Sequence, residues 1–586
     1  MPTYEVPTQS NIKIITCEDC VHSQSCCGCS MAILTALLAV VAALLALYRW
    51  ATRHHRYWAR RGVPCSPPLP LLGHYRDFVL QRRDLGGLTR ALCRQHPAAP
   101  ALGALLATEP VLIVQDPALL RLITTEYFYH FSARELADYT HQEVLTRSLF
   151  FTAGDAWRVL RQNMTPLFTS SKMRNMFPLV KRCTYVFEKM LDEEIGKSQL
   201  QEVGSLAYRF TMDSICACAF GIESNVMGEE PEKNPFTKIG DDILVFPKWR
   251  GLKLAIRAAW PSFFYGMGLK LFSTSIDEFF RAMLQRVCIK RGGGPSPRQD
   301  YVDLLLSLRK NSGIRGDSLD NMKDASHKIR LNLEAEEDLL VSQAIVLFAA
   351  GYETTSRTMS FLLYELAKNP DIQEKCLAEV DAYLSTRGEV QFDVTTALPY
   401  LSQCVDEALR LYPVFAVLTR EVAAPLRLDV GGRGAEGAGG GLLLPRGLRV
   451  HIPVLHLHTH PDYFPEPDRF RPERFSPEER RNIRSHTYFP FGEGPRLCIG
   501  KRFALLQLLA GLVTVLKSYR VSPAPPASPT PPAAPASPAA PAPPAAPAPL
   551  RMKPVSLTQQ AEGGVPLVFT RRAGWRGRAF REVGAA

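Results

Sequence analysis

The ten residues FGEGPRLCIG, Phe491 to Gly500, set one cysteine, Cys498, among three glycines, a proline and an arginine. A chain that bends this tightly around one thiol must present that thiol to something. Gly492, Gly494 and Gly500 let the backbone approach a flat partner without a Cβ in the way. Arg496 adds a permanent positive charge two residues from the sulfur, which favours a thiolate. Backbone N–H groups around the sulfur tune its electron donation. One protein ligand from one loop is too few for zinc, which takes three or four. It suits the proximal side of a haem. The competing reading is a turn with a buried structural cysteine.

The charge distribution excludes a broad class of partners. The net charge of +12 suggests nucleic acid until it is located. Arg49 to Arg61 holds five arginines and no acid, and Arg571 to Ala586 holds five arginines and one glutamate. With +5 and +4 in these two segments, the body between them is nearly neutral, and no basic face for DNA or RNA is expected. A composition of 46% hydrophobic and 22% charged residues describes a folded body rather than a disordered one.

Met31 to Tyr48, MAILTALLAVVAALLALY, is uncharged and almost wholly apolar. As a helix it is about 27 Å long, close to the thickness of a bilayer core. The arginine-rich flank lies on the wrong side for a cleaved signal peptide. The same arginines should stay cytosolic, placing the large body in the cytosol. Residues 1–30 carry Cys17, Cys20, Cys26, Cys27 and Cys29. Such a cluster binds zinc or forms disulfides if lumenal, but the expectation here is an extension without a fold.

Residues 49–74 then form a basic and proline-rich hinge, stiffened by Pro67, Pro68 and Pro70. The body reads as mostly helical, with strands near Val111–Val114 and Arg449–Pro453. Helices are expected from Glu334 to Lys368, stopped by Asn369-Pro370, from Tyr400 to Leu411, and from Gly500 to about Lys517. A glycine-rich insert at 431–441 and a Pro/Ala-rich insert at 523–549 interrupt the body. Two aromatic clusters, Phe246-Pro247-Lys248-Trp249 and Trp260 to Tyr265, read either as core packing or as a membrane-dipping lip.

The cysteine loop resembles the F-x-x-G-x-R-x-C-x-G haem-thiolate signature of the cytochrome P-450 family, with Phe491, Gly494, Arg496, Cys498 and Gly500 at every fixed position. Five such matches arise by chance on the order of 10⁻⁴ times per chain of equiprobable residues. Ala350-Gly351-Tyr352-Glu353-Thr354-Thr355 is similar to the family's oxygen-binding motif, in which the acid and the hydroxyl relay protons. Ala349, Ala350 and Gly351 make a small helix face, and Gly351 costs roughly 1 kcal/mol against alanine in mid-helix, a sign of close approach. Glu407 and Arg410 match the family's E-x-x-R pair, and Pro472-Glu473-Arg474-Phe475 its P-E-R-F segment; their implied role is structural. Trp157 and Arg161 resemble the W-x-x-x-R that holds a haem propionate, with Arg496 serving another.

The resemblance runs from Pro64 to Ser522 and from Leu550 to about Thr570. The wording of FFTAGDAWRVLRQNMTPLFTSSKM, FGIESN and PDYFPEPDRFRPERF is closest to microsomal insect members of broad, apolar, xenobiotic-metabolising substrate use. It implies a mainly α fold with a smaller β-rich part over 75–570, preceded by a transmembrane helix at 31–48 and followed by a basic tail at 571–586. It further implies haem b with Cys498 as the axial ligand of iron, and O2 as co-substrate. NADPH electrons would come from a separate NADPH-cytochrome P-450 reductase, with cytochrome b5 as a further donor, docking near Lys501 and Arg502. The expected setting is the endoplasmic reticulum membrane, with the catalytic domain facing the cytosol. The expected reaction is hydroxylation or epoxidation of lipophilic small molecules. Family members that rearrange or dehydrate peroxides tend to lose the acid–threonine pair, which this chain keeps; an inactive haem carrier is the other alternative. The hairpin Val555 to Leu567, behind the second insert, is expected to line the substrate pocket.

Overall fold

A residue that precedes proline is pushed out of helical backbone. Asn369 obeys, with φ −123° and ψ 76°, and ends the 32-residue helix Glu337–Lys368. Pro370 then opens the helix Pro370–Arg387, where its missing N–H leaves no bond unmade. Glu337 and Asp338 in the first turn and Lys368 in the last complement the dipole of the long helix. The computed structural model describes residues 21–228, 230–311, 313–323, 328–430, 441–525 and 550–574. The long helix starts at Glu337 rather than Glu334 because Arg330–Glu334 is a strand paired antiparallel with Gly313–Asp317. Half-buried Leu331 and Leu333 alternate with exposed residues along it, the period of a strand.

The architecture is mainly α with small sheets, as expected. The helices Ser170–Lys197, Val203–Ile215, Pro399–Leu411 and Lys501–Ser518 share one continuous apolar core with the long helix. A second core lies beside a four-stranded sheet in the order Ala101–Leu106, Glu109–Val114, Arg449–Ile452, Leu418–Glu421. Both strands expected from sequence are neighbours in it, paired in parallel.

The helix carrying the apolar run extends from Val21 to Thr52, ten residues ahead of Met31. Positions 26, 27 and 29 are therefore helical rather than unfolded, since an apolar helix, once nucleated, propagates outward. Cys17 and Cys20 lie outside the described residues. From Met31 to Tyr48 the side chains are exposed, and among the described residues this is the one helix long and apolar enough to cross a membrane.

Both inserts sit between paired strands. Leu426–Leu428 pairs with Leu442–Leu444, with 431–440 outside the described residues. Tyr519–Pro523 pairs with Pro566–Arg571, setting Pro523 opposite Leu567, with 526–549 outside them. The ordered body passes the expected boundary at 570: Arg572 is buried and paired with Asp381 at 2.6 Å. The rest of the basic tail, 575–586, lies outside the described residues.

Glu407 and Arg410 are fully buried one turn apart and meet through two bonds of 2.7 and 2.8 Å. Glu407 Oε1 also accepts from the Arg471 N–H at 2.9 Å and Arg474 Nε at 3.4 Å. Arg410 donates onward to the His458 carbonyl at 2.9 Å, and Arg474 to that of Glu466 at 2.7 Å. The His458 ring in turn accepts the Phe489 N–H at 3.1 Å. Burial, then Arg410, pulls the His458 pKa down to about 3, keeping the ring neutral and able to accept. The ion triad thus sets the backbone two residues ahead of the cysteine loop.

Replacing Glu407 by Ala leaves two buried guanidiniums unpaired and should cost about 3–5 kcal/mol, measured by denaturant unfolding in detergent. Deleting 526–549, which joins two strands already paired, should move the thermal midpoint by no more than about 2 °C.

Candidate haem site

The cysteine loop closes on itself. The Gly492 N–H donates to the Phe489 carbonyl, the Leu497 N–H to Gly494 and the Cys498 N–H to Phe491, each at 2.9 Å. Gly492 and Gly494 have φ of +79° and +69°, which favours glycine. A Cβ on Gly494 would also lie 1.9 Å from the Thr124 carbonyl oxygen. That glycine answers to a neighbouring backbone, not to a flat partner. Gly500, with φ −90°, caps the helix Lys501–Ser518, and an added Cβ there would meet only the Phe168 ring, at 3.9 Å.

Cys498 is accessible to solvent. Burial pushes its pKa up, against the Gly500 N–H and the charges of Arg161, Lys501 and Arg134, which favour the thiolate.

Arg496 is buried, with Nε donating to the Ser132 carbonyl at 2.7 Å, Nη1 to that of Phe150 at 3.3 Å and Nη2 to that of Thr152. Its guanidinium stacks over Trp157, 4.8 Å from the ring centroid. Trp157 and Arg161 lie on the helix Gly154–Met164, and Arg161 donates to the Leu497 carbonyl at 2.8 Å, next to the cysteine. Two further arginines share this place. Arg420 is 1% exposed, and Arg134 lies 4.0 Å over the Phe150 ring. The Nε of each is buried without a partner. Burial lowers the pKa of Arg420 to about 10; burial and then Arg420 lower that of Arg134 to about 9. Arg496 is pushed well down by burial, then by Arg134, Arg420 and Arg161. Among the described residues no carboxylate offsets these four charges. Buried guanidiniums in that state call for an anion. A flat group with two carboxylates, and a metal that takes one thiolate, fits this donor set. Haem is such a group.

The long helix contributes the other motif. Ala350 is exposed in mid-helix, and Ala349, Gly351 and Thr354 are half-buried, in a helix otherwise largely buried. The small face expected from sequence is therefore real, but Gly351 is small for another reason. A Cβ there would lie 2.4 Å from Ile215, on the helix Val203–Ile215. Ala350 is the residue left facing open space. Thr354 Oγ1 donates to the Ala350 carbonyl at 2.9 Å. Glu353, 2% exposed, turns elsewhere: its Oε1 accepts from Arg357 Nε at 3.0 Å, Thr558 Oγ1 at 3.1 Å and Gln560 Nε2 at 2.8 Å.

Sequence reasoning missed Arg134, Arg420, Thr558 and Gln560. An alternating LTRE strand with an arginine on its buried face was the available signal for Arg420. Thr558 and Gln560 act from 205 and 207 residues away, and no local pattern marks them.

A family model described as cytochrome P450 matches residues 63–545. Cytochrome P450 6B6 of Helicoverpa armigera is 33% identical over 488 residues, covering 83% of this chain and 92% of that protein. Cytochrome P450 6B5 of Papilio glaucus is 34% identical over 487 residues, covering 83% and 97%. Cytochrome P450 6k1 of Blattella germanica is 31% identical over 503 residues, covering 85% and 92%. The thiol in its glycine-bent loop, the arginines without an anion and the small helix face agree with these likenesses: the chain belongs to the cytochrome P450 family.

Proposed function

We propose that this protein is a membrane-anchored haem-thiolate monooxygenase that inserts one oxygen atom of O2 into lipophilic small molecules. The observation that carries the reading is the accessible Cys498 thiol near four guanidiniums, those of Arg420 and Arg496 buried and those of Arg134 and Arg161 half-buried, with no carboxylate offsetting them among the described residues. Bound haem would supply oxygen binding and activation; the rest falls to the chain. Cys498 would hold the iron as a thiolate, favoured by the Gly500 N–H and the charges of Arg161, Lys501 and Arg134. Arg134, Arg161, Arg420 and Arg496, with Trp157, would neutralise and orient the two carboxylates. Phe491, Gly494 and Gly500 would shape the loop under the cofactor, and Ala350 would leave room above it, with Gly351 letting the helix pack closely behind. Thr354 would hand on the proton of its hydroxyl, and Glu353 would replace it. The intact acid–threonine pair favours oxygenation over peroxide rearrangement or dehydration.

Electrons would come from NADPH through a separate flavoprotein reductase, with cytochrome b5 as a second donor. Lys501 and Arg502 are exposed at the start of the helix behind Cys498, as such docking requires. The apolar helix supports anchoring in the endoplasmic reticulum membrane, and the five arginines after it support a cytosolic body. The aromatic clusters divide between the two roles expected of them. Phe264 is buried in the core, whereas Trp249 and Phe263 are 62% and 59% exposed. Trp260 lies 6.3 Å from Trp50 of the anchor helix. The exposed pair suits a lip through which apolar substrates enter from the bilayer. The wording shared with insect relatives supports a broad substrate range, foreign compounds or endogenous lipids and hormones.

The reduced, CO-bound protein in membranes should give the strongly red-shifted Soret difference band of a thiolate-ligated haem, and Cys498→Ala should lose both band and activity. A full band in that variant would refute the ligand assignment. Thr354→Ala should at least halve product formed per NADPH, about 0.4 kcal/mol or more in partitioning, and raise peroxide release. An unchanged ratio would remove Thr354 from the relay.

A further inference from the structure

Glu353 is tied to a distant segment in a lopsided way. Its Oε1 receives three donors, from Arg357, Thr558 and Gln560, while among the described residues no donor reaches Oε2. Arg357 sits one turn along the same helix and is half-buried, as a helix-surface ion pair would be. Thr558 and Gln560 are different: they are 7% and 3% exposed, on the loop between Leu550 and Val565. A buried hydroxyl and amide aimed at one carboxylate oxygen lose their partner if that oxygen moves, which makes the arrangement costly to break.

The loop is braced independently of Glu353. The Gln559 N–H donates to the Val414 carbonyl at 2.9 Å, and the Lys553 N–H to that of Gln560 at 2.8 Å. The Glu562 N–H donates to the Arg551 carbonyl at 2.7 Å, and the Val565 N–H to Glu202 Oε1 at 2.9 Å. Thr558 and Gln560, two residues apart, therefore form a prepared clamp rather than a fold-back of a loose chain.

We propose that Thr558 and Gln560 are positioning residues for proton delivery: they fix Oε1 of Glu353 and leave Oε2 as the oxygen that carries the proton. A proton taken from water onto Oε2 leaves it again to restore the Thr354 hydroxyl after that hydroxyl has given up its own. The inference rests on the reading of Glu353 and Thr354 as a relay. It adds the residues that hold the acid in the orientation the relay needs.

The test uses the full chain in membranes with reductase. Thr558→Val with Gln560→Met removes both donors at nearly constant volume. Product per NADPH should fall about threefold or more with peroxide rising, while the substrate KM stays within about twofold. The CO difference band should keep its red-shifted position. The infrared C–O stretching band of the CO adduct should broaden or split as the carboxylate takes several orientations. Thr558→Ser, which restores a hydroxyl, should keep wild-type coupling and a single band. Wild-type coupling and an unchanged C–O band in the double variant, while Glu353→Gln uncouples, would overturn the clamp and leave the relay standing. Full coupling in Glu353→Gln would overturn the relay, and the clamp with it. If the double variant fails to bind haem, the single Thr558→Val carries the test, and wild-type coupling and band shape there would overturn the proposal.

Discussion

The arrangement around Cys498 turns on charge that the protein does not neutralise by itself. Four guanidiniums cluster around Arg496, two of them, Arg161 and Arg134, also acting on the Cys498 thiol, and the Nε atoms of Arg134 and Arg420 are buried with no acceptor. A buried unpaired ion costs on the order of several kcal/mol even after relaxation. Backbone carbonyls of Ser132, Phe150 and Thr152 offset part of that for Arg496, but carbonyl dipoles do not cancel a charge. A dianionic, thiolate-accepting group bound there would offset that cost and stabilise the fold. Anything that binds the folded state alone shifts the folding equilibrium toward it.

The contrast with the Glu407 triad shows how the same residue type serves two ends. Arg410 and Arg474 are as buried as Arg420, yet each meets a carboxylate and a backbone carbonyl. Nothing is left over for a ligand, so the triad acts only as a brace. From the triad the path runs through the His458 backbone and ring to Phe489, and from Phe489 into the first turn of the cysteine loop. A rigid lock and the cysteine loop lie at the two ends of one hydrogen-bonded route. Were Cys498 to hold a metal, the lock would fix the loop that presents its sulfur.

What the sequence made legible follows from the reach of each interaction. The cysteine loop, the E-x-x-R pair and the proline-stopped helix depend on neighbours within one turn, so their residue types sit side by side in the chain. Arg134 and Arg420 come together only because a strand and a loop, 286 positions apart in numbering, pack at the same place. Glycines were legible as positions under constraint but not as to cause. Gly494 makes room for the Thr124 carbonyl and Gly351 for Ile215, partners that no local pattern names. Glu353 reads locally as an exposed helix charge, and only tertiary packing buries it under Thr558 and Gln560.

The Pro/Ala-rich insert raises the question of how a family fold tolerates so long an insertion between two paired strands. The answer lies in where the chain re-enters. Tyr519–Pro523 is paired with Pro566–Arg571, and Pro566–Val568 is paired again with Leu200–Glu202, so the strand after the insert is held from both sides. The loop that carries Thr558 and Gln560 is bonded to Val414 and Glu202, outside the insert altogether. Lengthening a connection between ends already held costs only about 0.6 kcal/mol per doubling. Proline and alanine add no apolar surface able to compete for the core. The tract changes the entropy of a connection, whereas the position of Glu353 depends on contacts that the connection does not make.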